Sequence, residues 1–327
     1  MSFWNKKKVL LAGGAGFIGS YLTEQLLSNG AKLTVVDSLE KGNLDNLKDI
    51  IKQINFLKLD LRDINICSKV TKGMDVVMNL AARAYGLEYS FTHHGEMLTS
   101  NLLVGLNLLE SARANGVERF LVVSSSCIYP DDALVPTPEY DTFTKFPEAA
   151  NQGYGWAKRI LELQGIYYSR EYKMKIAIGR PFNAYGIRDA WVGEKSHVIP
   201  ALIKKLSDSS KEIVVWGSGN QKRSFIHGQD VAAGLRLLTE NYPVADPVNV
   251  GSNEEISIRD LVFKLMKLMG VEKKIIFDTS KPEGCFRKSA DISKLNKISN
   301  GFSSSVSLEK GLQEMVEWYK KGKNNCL

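Results

Sequence analysis

Residues 8–19 read Lys-Val-Leu-Leu-Ala-Gly-Gly-Ala-Gly-Phe-Ile-Gly, an apolar run that passes directly into a glycine-rich segment. The run Lys8 to Ala12 predicts a buried strand, and the apolar spacing over residues 21–27 predicts a helix after the glycines. Glycines at 13, 16 and 19 allow a tight turn, a close approach to a pyrophosphate and close packing of helix on strand. The helix N-terminus adds N–H donors for the phosphates. We therefore expect a dinucleotide-binding loop, with contacts from Gly13, Gly16, Phe17, Ile18 and Gly19.

The second predicted strand, Lys32 to Val36, ends at Asp37, about 20 residues after the glycine loop. A carboxylate at this point accepts hydrogen bonds from the adenosine ribose hydroxyls and repels a 2′-phosphate. Asp37 therefore favours NAD over NADP. The alternative is that Asp37 only caps the turn that it forms with Ser38.

Strands and helices continue to alternate, with strands predicted at 55–59, 75–79, 120–123 and 175–179 and a long amphipathic helix at 101–115. Such alternation predicts a parallel, doubly wound α/β sheet of the Rossmann type. Because strand ends line the cofactor crevice of such a sheet, we expect cofactor contacts from Asp60, Leu61 and Ala81.

The pattern becomes less regular after Arg180. We expect residues 1–180 to form the NAD-binding domain, with a later segment near 225–250 returning to it. Residues 181–327 are expected to form mainly a smaller, mixed α/β substrate domain. A helix at 257–269 with Ser257 as its cap belongs to that part.

Tyr154 and Lys158 are four residues apart, so they share one face of the helix predicted to run to about residue 172. A cation beside a phenol lowers the cost of the phenolate, which otherwise forms near pH ~10. Such a pair moves a proton to or from a hydroxyl, and Ser125 is placed to hydrogen-bond the same hydroxyl. An ordinary amphipathic helix is the alternative for the two residues taken alone.

The composition is that of a soluble globular protein, with 44% hydrophobic residues and a net charge of +7 among 327 residues. The positive charge is dispersed along the chain, which favours an anionic small molecule over nucleic acid or a membrane surface. The four cysteines are widely separated, so no disulfide or metal site is expected, and a reducing cytoplasm fits. No signal peptide or transmembrane helix is expected.

Taken in order, these motifs resemble the extended short-chain dehydrogenase/reductase superfamily, also called the NAD-dependent epimerase/dehydratase superfamily. The resemblance covers nearly the whole chain. It is nearest to the GDP-sugar branch, which includes GDP-L-fucose synthase and GDP-mannose 3,5-epimerase. Residues 125–130, Ser-Ser-Cys-Ile-Tyr-Pro, are similar to that branch's active segment, and residues 196–202, Ser-His-Val-Ile-Pro-Ala-Leu, to another of its segments.

The resemblance implies that Cys127 and His197 are acid/base groups for epimerisation. Both residue types can be tuned toward neutral pH. It further implies a GDP-binding region and substrate contacts from Asn183, Val198, Lys205, Trp216, Arg223, Lys281 and Arg287. Dimers are common in this superfamily, so a homo-oligomer is expected.

The chain departs from both relatives. Fucose synthase reduces with NADPH, whereas Asp37 is a feature of NAD use, as in the epimerase. The epimerase has a lysine as its second acid/base, and residues 191–195, Trp-Val-Gly-Glu-Lys, are similar to that segment. Lys195 and His197 therefore remain alternative partners for Cys127. Lys205 stands where fucose synthase has an arginine near the diphosphate.

The leading hypothesis is an NAD-dependent GDP-sugar epimerase that oxidises C4 transiently and exchanges protons at C3 or C5 of a mannose-type sugar. The alternative is a GDP-sugar oxidoreductase, either a fucose-synthase-like 3,5-epimerase/4-reductase or a C4 dehydrogenase. A third hypothesis, a nucleotide-sensing protein without turnover, is opposed by the intact Ser125, Tyr154 and Lys158 set.

Overall fold

The computed structural model describes residues 2–140, 142–191, 196–281 and 284–324. Strands and helices alternate through its first half. The strands there are β1 (Lys8–Ala12), β2 (Lys32–Asp37), β3 (Asn55–Lys58), β4 (Val76–Asn79), β5 (Arg119–Val123) and β6 (Lys175–Pro181). The helices there are α1 (Phe17–Ser28), α2 (Ile64–Thr71), α3 (Leu87–Thr92), α4 (His94–Ala114) and α5 (Gln152–Tyr172).

Shorter strands mark the second half. They are β7 (Ala184–Tyr185), β8 (Glu212–Trp216), β9 (Lys222–Ser224), β10 (Ile226–His227), β11 (Val248–Val250), β12 (Glu255–Ser257), β13 (Lys274–Asp278) and β14 (Arg287–Lys288). The helices are α6 (Val198–Leu206), α7 (Gly228–Asn241), α8 (Ile258–Met269), α9 (Ser293–Ile298) and α10 (Leu308–Asn324).

In the described part of the chain, seven strands form one sheet in the order β11-β6-β5-β4-β1-β2-β3. All neighbouring pairs are parallel. The chain moves outward from β1 in both directions, so the strand order reverses next to the loop that follows β1. This is the doubly wound Rossmann arrangement, and it confirms the fold class that the sequence predicts.

Side chains alternate between the two faces of the sheet along each strand, and helices cover both faces, so both are buried. Val9 and Leu11 of β1 belong to a core that contains Leu22 of α1 and Leu235 of α7. The intervening Leu10 belongs to a second core, which contains Leu108 of α4 and Leu161 of α5.

The helix that the sequence predicts to begin near residue 101 begins at His94 instead. Gly95 lowers helix propensity there, but tertiary packing holds this first turn in place. A Cβ at Gly153 would lie 2.1 Å from the backbone oxygen of His94, so this turn rests directly on the start of α5. Met97, which follows in the same turn, is buried.

The C-terminal half has its own core, formed by α6, α8, α10 and β8. Its small sheets are mixed: β12 pairs with β9 antiparallel, whereas β14 pairs with β9 and β13 with β8 in parallel. Ser257 caps α8 by accepting a hydrogen bond from the Asp260 backbone. The segment near 225–250 supplies α7 and β11, which lie with the large sheet, while the domain boundary near residue 180 stays a prediction.

Among the described residues, we find no helix with the length and apolar character of a membrane span. The same residues contain no group of three or more His, Cys, Asp or Glu side chains arranged to hold a metal ion.

Candidate active site

A cavity of about 690 Å³ lies at the carboxyl ends of the parallel strands and extends toward the C-terminal half. Parallel sheets bind ligands at this edge, where the strand order reverses. Most residues predicted from the sequence line it: Gly13, Gly16, Phe17, Ile18, Gly19, Asp37, Asp60, Leu61, Ala81, Ser125, Cys127, Tyr154, Lys158, Asn183, His197, Val198, Lys205, Trp216 and Arg223.

The glycine loop, residues 13–19, forms a cradle in which side chains at Gly13 and Gly19 would clash with neighbouring backbone. Gly13 has a φ of +76°, and a Cβ there would lie 2.6 Å from the backbone nitrogen of Ala81. A Cβ at Gly19 would lie 2.0 Å from the carbonyl oxygen of Gly13. Gly13, Gly16 and Gly19 also line the cavity at the start of α1, where free backbone N–H groups fit a bound pyrophosphate.

Asp37 lies at the end of β2 beside this cradle, where the sequence predicts the adenosine ribose to bind. Its carboxylate is buried and accepts hydrogen bonds from the backbone N–H groups of Ala15, at 3.1 Å, and Leu39, at 2.9 Å. Burial raises the pKa of Asp37, while these two donors oppose the shift. Each carboxylate oxygen has a second lone pair available for a ribose hydroxyl, so the residue fits NAD.

Two arginines at the same end of the cavity, Arg62 and Arg83, were not predicted from the sequence. Arg62 donates from Nε to both oxygens of Asp60, at 2.9 and 3.0 Å, and also pairs with Glu40. Arg83 pairs with Glu40 at 2.8 Å. Arg62 and Arg83 line the cavity, and the closeness of Arg62 to Asp60 in the sequence is the signal that could have found the first of them.

Tyr154 and Lys158 lie one turn apart on α5 and are both buried. The Lys158 ammonium lies 5.4 Å from the centre of the Tyr154 ring and donates a hydrogen bond of 2.7 Å to the backbone oxygen of Val123. Ser125 follows β5 and lines the same cavity as Tyr154 and Lys158. The structure therefore brings the predicted three side chains together.

Burial dominates the protonation of this group. It raises the pKa of Tyr154 well above its usual value, nearby Cys127 adds to that rise, and the Ser125 hydrogen bond opposes it. Burial lowers the pKa of Lys158 to about 8, against the attraction of Glu162 and Cys127. The expected lowering of the Tyr154 pKa by Lys158 is therefore not what the protein alone produces.

Cys127 lies in a short 3-10 turn and faces a buried ion pair that the sequence did not reveal. Lys288 donates a hydrogen bond of 2.5 Å to Glu148, and both residues line the cavity together with Cys127. Burial, followed by the charge of Glu148, raises the pKa of Cys127 to about 12. Residues 127, 148 and 288 are far apart in the sequence, so no spacing pattern links them.

His197 precedes α6 and has a buried carboxylate as its partner. Its Nδ1 lies 2.8 Å from Oδ2 of Asp189, whose side chain is fully buried, whereas the His197 side chain is 38% exposed. Burial opposes ionisation of Asp189, but His197 holds the pKa of that carboxyl below its usual value. Asp189 thus orients the ring, and Nε2 is left to act on a ligand. Lys195, the alternative to His197, lies outside the described residues.

The far end of the cavity is formed by the C-terminal half. Trp216 at the end of β8 and Arg223 on β9 line it, together with Lys205 of α6, which donates to the backbone oxygen of Val214. Lys281 lies outside the cavity lining, with its ammonium 5.8 Å from the centre of the Trp216 ring.

The structure does not bring Arg287 into the large cavity. Its guanidinium makes two hydrogen bonds of 2.8 Å to Glu255. Neighbouring residues of a strand point to opposite sides, so Lys288, and not Arg287, lines the cavity from β14. Arg287, which the sequence predicts to contact the substrate, therefore does not line the large cavity in the structure, whereas its neighbour Lys288 does.

The fold and the cavity at its strand ends are those of a dinucleotide-dependent enzyme, and Ser125, Tyr154, Lys158, Cys127 and His197 line that one cavity. The chain is 32% identical to GDP-L-fucose synthase 1 of Arabidopsis thaliana over 324 residues, covering 96% of this chain and 93% of that protein. It is also 32% identical to GDP-mannose 3,5-epimerase of the same plant over 320 residues, covering 96% and 82%.

Among solved structures, a UDP-glucose 4-epimerase from Thermus thermophilus in complex with NAD is 25% identical, with a TM-score of 0.82 over 96% of this chain and 99% of that one. A family model matches residues 9–251, and the chain belongs to this NAD dependent epimerase/dehydratase family. It is therefore an NAD-dependent enzyme of the nucleotide-sugar epimerase and oxidoreductase type.

Proposed function

We propose that the protein is a GDP-sugar epimerase that acts on a mannose-type sugar nucleotide. The observation that carries this proposal is that Cys127 and His197 line the same cavity as Tyr154 and Lys158. A simple dehydrogenase needs only the Tyr154 group, whereas an epimerase also needs an acid and a base for the ring carbons.

Tyr154 and Ser125 bind the sugar hydroxyl at C4, and Tyr154 takes its proton as the hydride leaves. The chemistry that bound NAD would supply here is an acceptor for that hydride, which would later be returned to C4. The C4 ketone acidifies the protons at C3 and C5, so a base on one ring face can remove a proton while an acid adds one on the other. Asp189 keeps the His197 ring oriented for its part in this exchange.

The choice of GDP rests on two of the relatives, which carry GDP-sugars in their names, and on the far end of the cavity. There Trp216 offers an aromatic face for a base, and Lys205 and Arg223 supply positive charge near the expected diphosphate. We infer in addition that the protein is cytoplasmic and forms a homo-oligomer. Analytical ultracentrifugation of the purified protein tests whether it assembles.

The second candidate is a GDP-sugar oxidoreductase, either a GDP-L-fucose-synthase-like 3,5-epimerase/4-reductase or a C4 dehydrogenase. The observation in its favour is the His197–Asp189 pair, since the histidine lies in the segment similar to fucose synthase. Asp37 opposes the reductase, because a carboxylate there disfavours the 2′-phosphate of NADPH.

Binding and turnover of matched sugar nucleotides test the proposal. We expect GDP to bind at least about tenfold more tightly than UDP or dTDP by calorimetry, and a GDP-mannose-type sugar to be converted to an epimer detected by NMR. Preferential binding of UDP, or conversion of UDP-sugars alone, would contradict the assignment of GDP. Net reduction of a 4-keto-sugar by NADPH would favour the second candidate.

A further inference from the structure

Two loops that flank the glycine loop are joined to each other by charged side chains. Glu40, in the loop after β2, accepts hydrogen bonds of 3.1 and 2.8 Å from Nε and Nη2 of Arg83, in the loop after β4. Strand β1 lies between β2 and β4 in the sheet, so the two loops meet across the end of β1, where Gly13 begins the glycine loop. The next residue of each loop adds a second contact, because the ammonium of Lys41 donates to the backbone oxygen of Ala84.

The joined side chains lie between the cavity and the solvent. Glu40, Lys41, Arg83 and Ala84 all line the cavity. The side chain of Glu40 is also 40% exposed and that of Arg83 21% exposed, so each has one side toward the cavity and another toward solvent. The bridge of Glu40 and Arg83 therefore forms part of the outer wall at the cofactor end of the cavity.

Both loops are anchored to the rest of the protein beside the bridge. The backbone of Arg83 exchanges two hydrogen bonds of 3.0 Å with the side chain of Asn101, which is buried in α4. In the other loop, the backbone N–H of Asn43 donates a hydrogen bond of 3.0 Å to the carbonyl of Ala15 in the glycine loop. Opening the bridge therefore requires separation of side chains rather than movement of either anchored backbone segment.

Glu40 and Arg83 each have a second ionic partner. Arg83 also pairs with Glu96 of α4, and Glu40 pairs with Arg62 at 3.0 Å. Arg62 follows β3, which is next to β2, so its contact with Glu40 does not cross β1. Of the two arginines on Glu40, it is thus Arg83 that closes the bridge over the glycine loop.

We propose that the bridge of Glu40 and Arg83 is a strap across the dinucleotide site, which has to open for the cofactor to enter and again for it to leave. The strap slows both steps and so retains the dinucleotide once it is bound at the glycine loop and Asp37. The inference concerns the cofactor end of the cavity alone and holds whichever sugar reacts.

Rapid mixing with NADH tests the strap without any sugar or turnover. Energy transfer from the protein's tryptophans to the reduced nicotinamide reports the rate of entry. Displacement of bound NADH by excess NAD gives the rate of release. We expect Glu40→Gln and Arg83→Met each to raise the rate constants of both entry and release by about two- to fivefold, as the loss of a partly exposed ion pair allows.

Two further comparisons show whether the residues act through each other. The double variant should be no faster than the faster single variant, because either substitution already breaks the same bridge. High salt should reduce the difference between the wild type and the variants, since salt screens an exposed ion pair. Arg113→Met breaks the pair of Arg113 with Glu110 on α4, outside the lining of the described cavity, and should retain the wild-type rates.

Direct contact with the cofactor would give a different pattern. Faster release with an unchanged rate of entry would show that the side chains bind the dinucleotide rather than obstruct its path, and would overturn the proposal. Faster release in Arg83→Met but not in Glu40→Gln, additive effects in the double variant, or wild-type rates in both single variants would overturn it as well. Each of these results would leave the proposed function intact, because the rates are measured without sugar.

Discussion

The ammonium of Lys158 donates a hydrogen bond of 2.7 Å to the backbone carbonyl of Val123. This contact joins α5, which carries Tyr154, to the last residue of β5, two positions before Ser125. A buried charged group thus holds the helix and the active segment together. Its burial has an energetic cost, which lowers the pKa of Lys158 to about 8.

Replacing Lys158 by methionine is expected to abolish most turnover and to stabilise the fold. Loss of the cation beside Tyr154 should lower single-turnover hydride transfer by about 10²- to 10⁴-fold. The unfolding free energy at neutral pH should rise by up to about 3 kcal/mol, because the buried ammonium no longer has to be desolvated. Stopped-flow absorbance of the nicotinamide and chemical denaturation measure the two effects.

The stability of the wild-type protein should also depend on pH through Lys158. Between pH about 8 and 10.5 the unfolded chain holds a proton on Lys158 that the folded protein has lost. This group therefore makes stability rise with pH over that window, and Lys158→Met should remove its contribution. Lys211→Met, at an exposed lysine, is the control and should retain the wild-type slope. Equal slopes in wild type and Lys158→Met would contradict the buried, weakly basic lysine.

Substitutions at two glycines with nearly the same φ, Gly13 in the cofactor loop and Gly73 outside it, distinguish the effect of backbone strain from that of a steric clash. Gly13 has a φ of +76° and would clash with Ala81, whereas Gly73 has a φ of +72° and nothing within 4 Å of a Cβ. We expect Gly73→Ala to lose about 1 kcal/mol of stability with unchanged NAD affinity. Gly13→Ala should weaken NAD binding by more than about tenfold in calorimetry. Similar NAD affinity in both variants would rule out the predicted cradle.

Asp37 should determine which dinucleotide binds. Asp37→Asn removes the charge but keeps an acceptor oxygen for only one of the two backbone N–H groups, because Ala15 and Leu39 bond to different oxygens of the carboxylate. We expect NAD to bind about tenfold more weakly and NADP more tightly, since the repulsion of its 2′-phosphate is gone. Asp45→Asn, at an exposed carboxylate, is the matched control. Tight NADP binding by the wild type would refute the role of Asp37.

Asp189→Asn should weaken proton exchange without affecting hydride transfer. The amide cannot hold the His197 imidazolium as the carboxylate does, so exchange at the face served by His197 should slow by about 10²-fold. His197→Gln and Lys195→Met, measured alongside, distinguish the two candidate partners of Cys127. If Lys195→Met is inactive in exchange while His197→Gln is not, the lysine is the partner, and the prediction for Asp189 is wrong.

Much of the sheet and its cofactor edge could be predicted from the sequence, because local signals set them. The apolar strand β1, the glycines at 13, 16 and 19 and the carboxylate after β2 follow one another at short, regular spacing. Tyr154 and Lys158 share a helix face for the same reason. The start of α4 was missed because its first turn depends on contact with α5 rather than on its own residues.

The partners of the acid/base groups could not be predicted, because they come from distant segments. Glu148 and Lys288 are 140 residues apart in the sequence, and Asp189 looks like an ordinary loop carboxylate until His197 is seen beside it. The choice between Arg287 and Lys288 depends on the pairing of β14 with β9, which no local pattern specifies.

The central claim is that hydride transfer and proton exchange act on one sugar in one cavity. The most direct measurement follows the sugar protons by NMR and the nicotinamide absorbance together, with NAD and GDP-mannose-type sugars in deuterated water. We predict deuterium at C3 or C5 of the sugar with no lasting NADH. Lasting NADH, or a ketone without deuterium at either carbon, would contradict the account and indicate a C4 dehydrogenase.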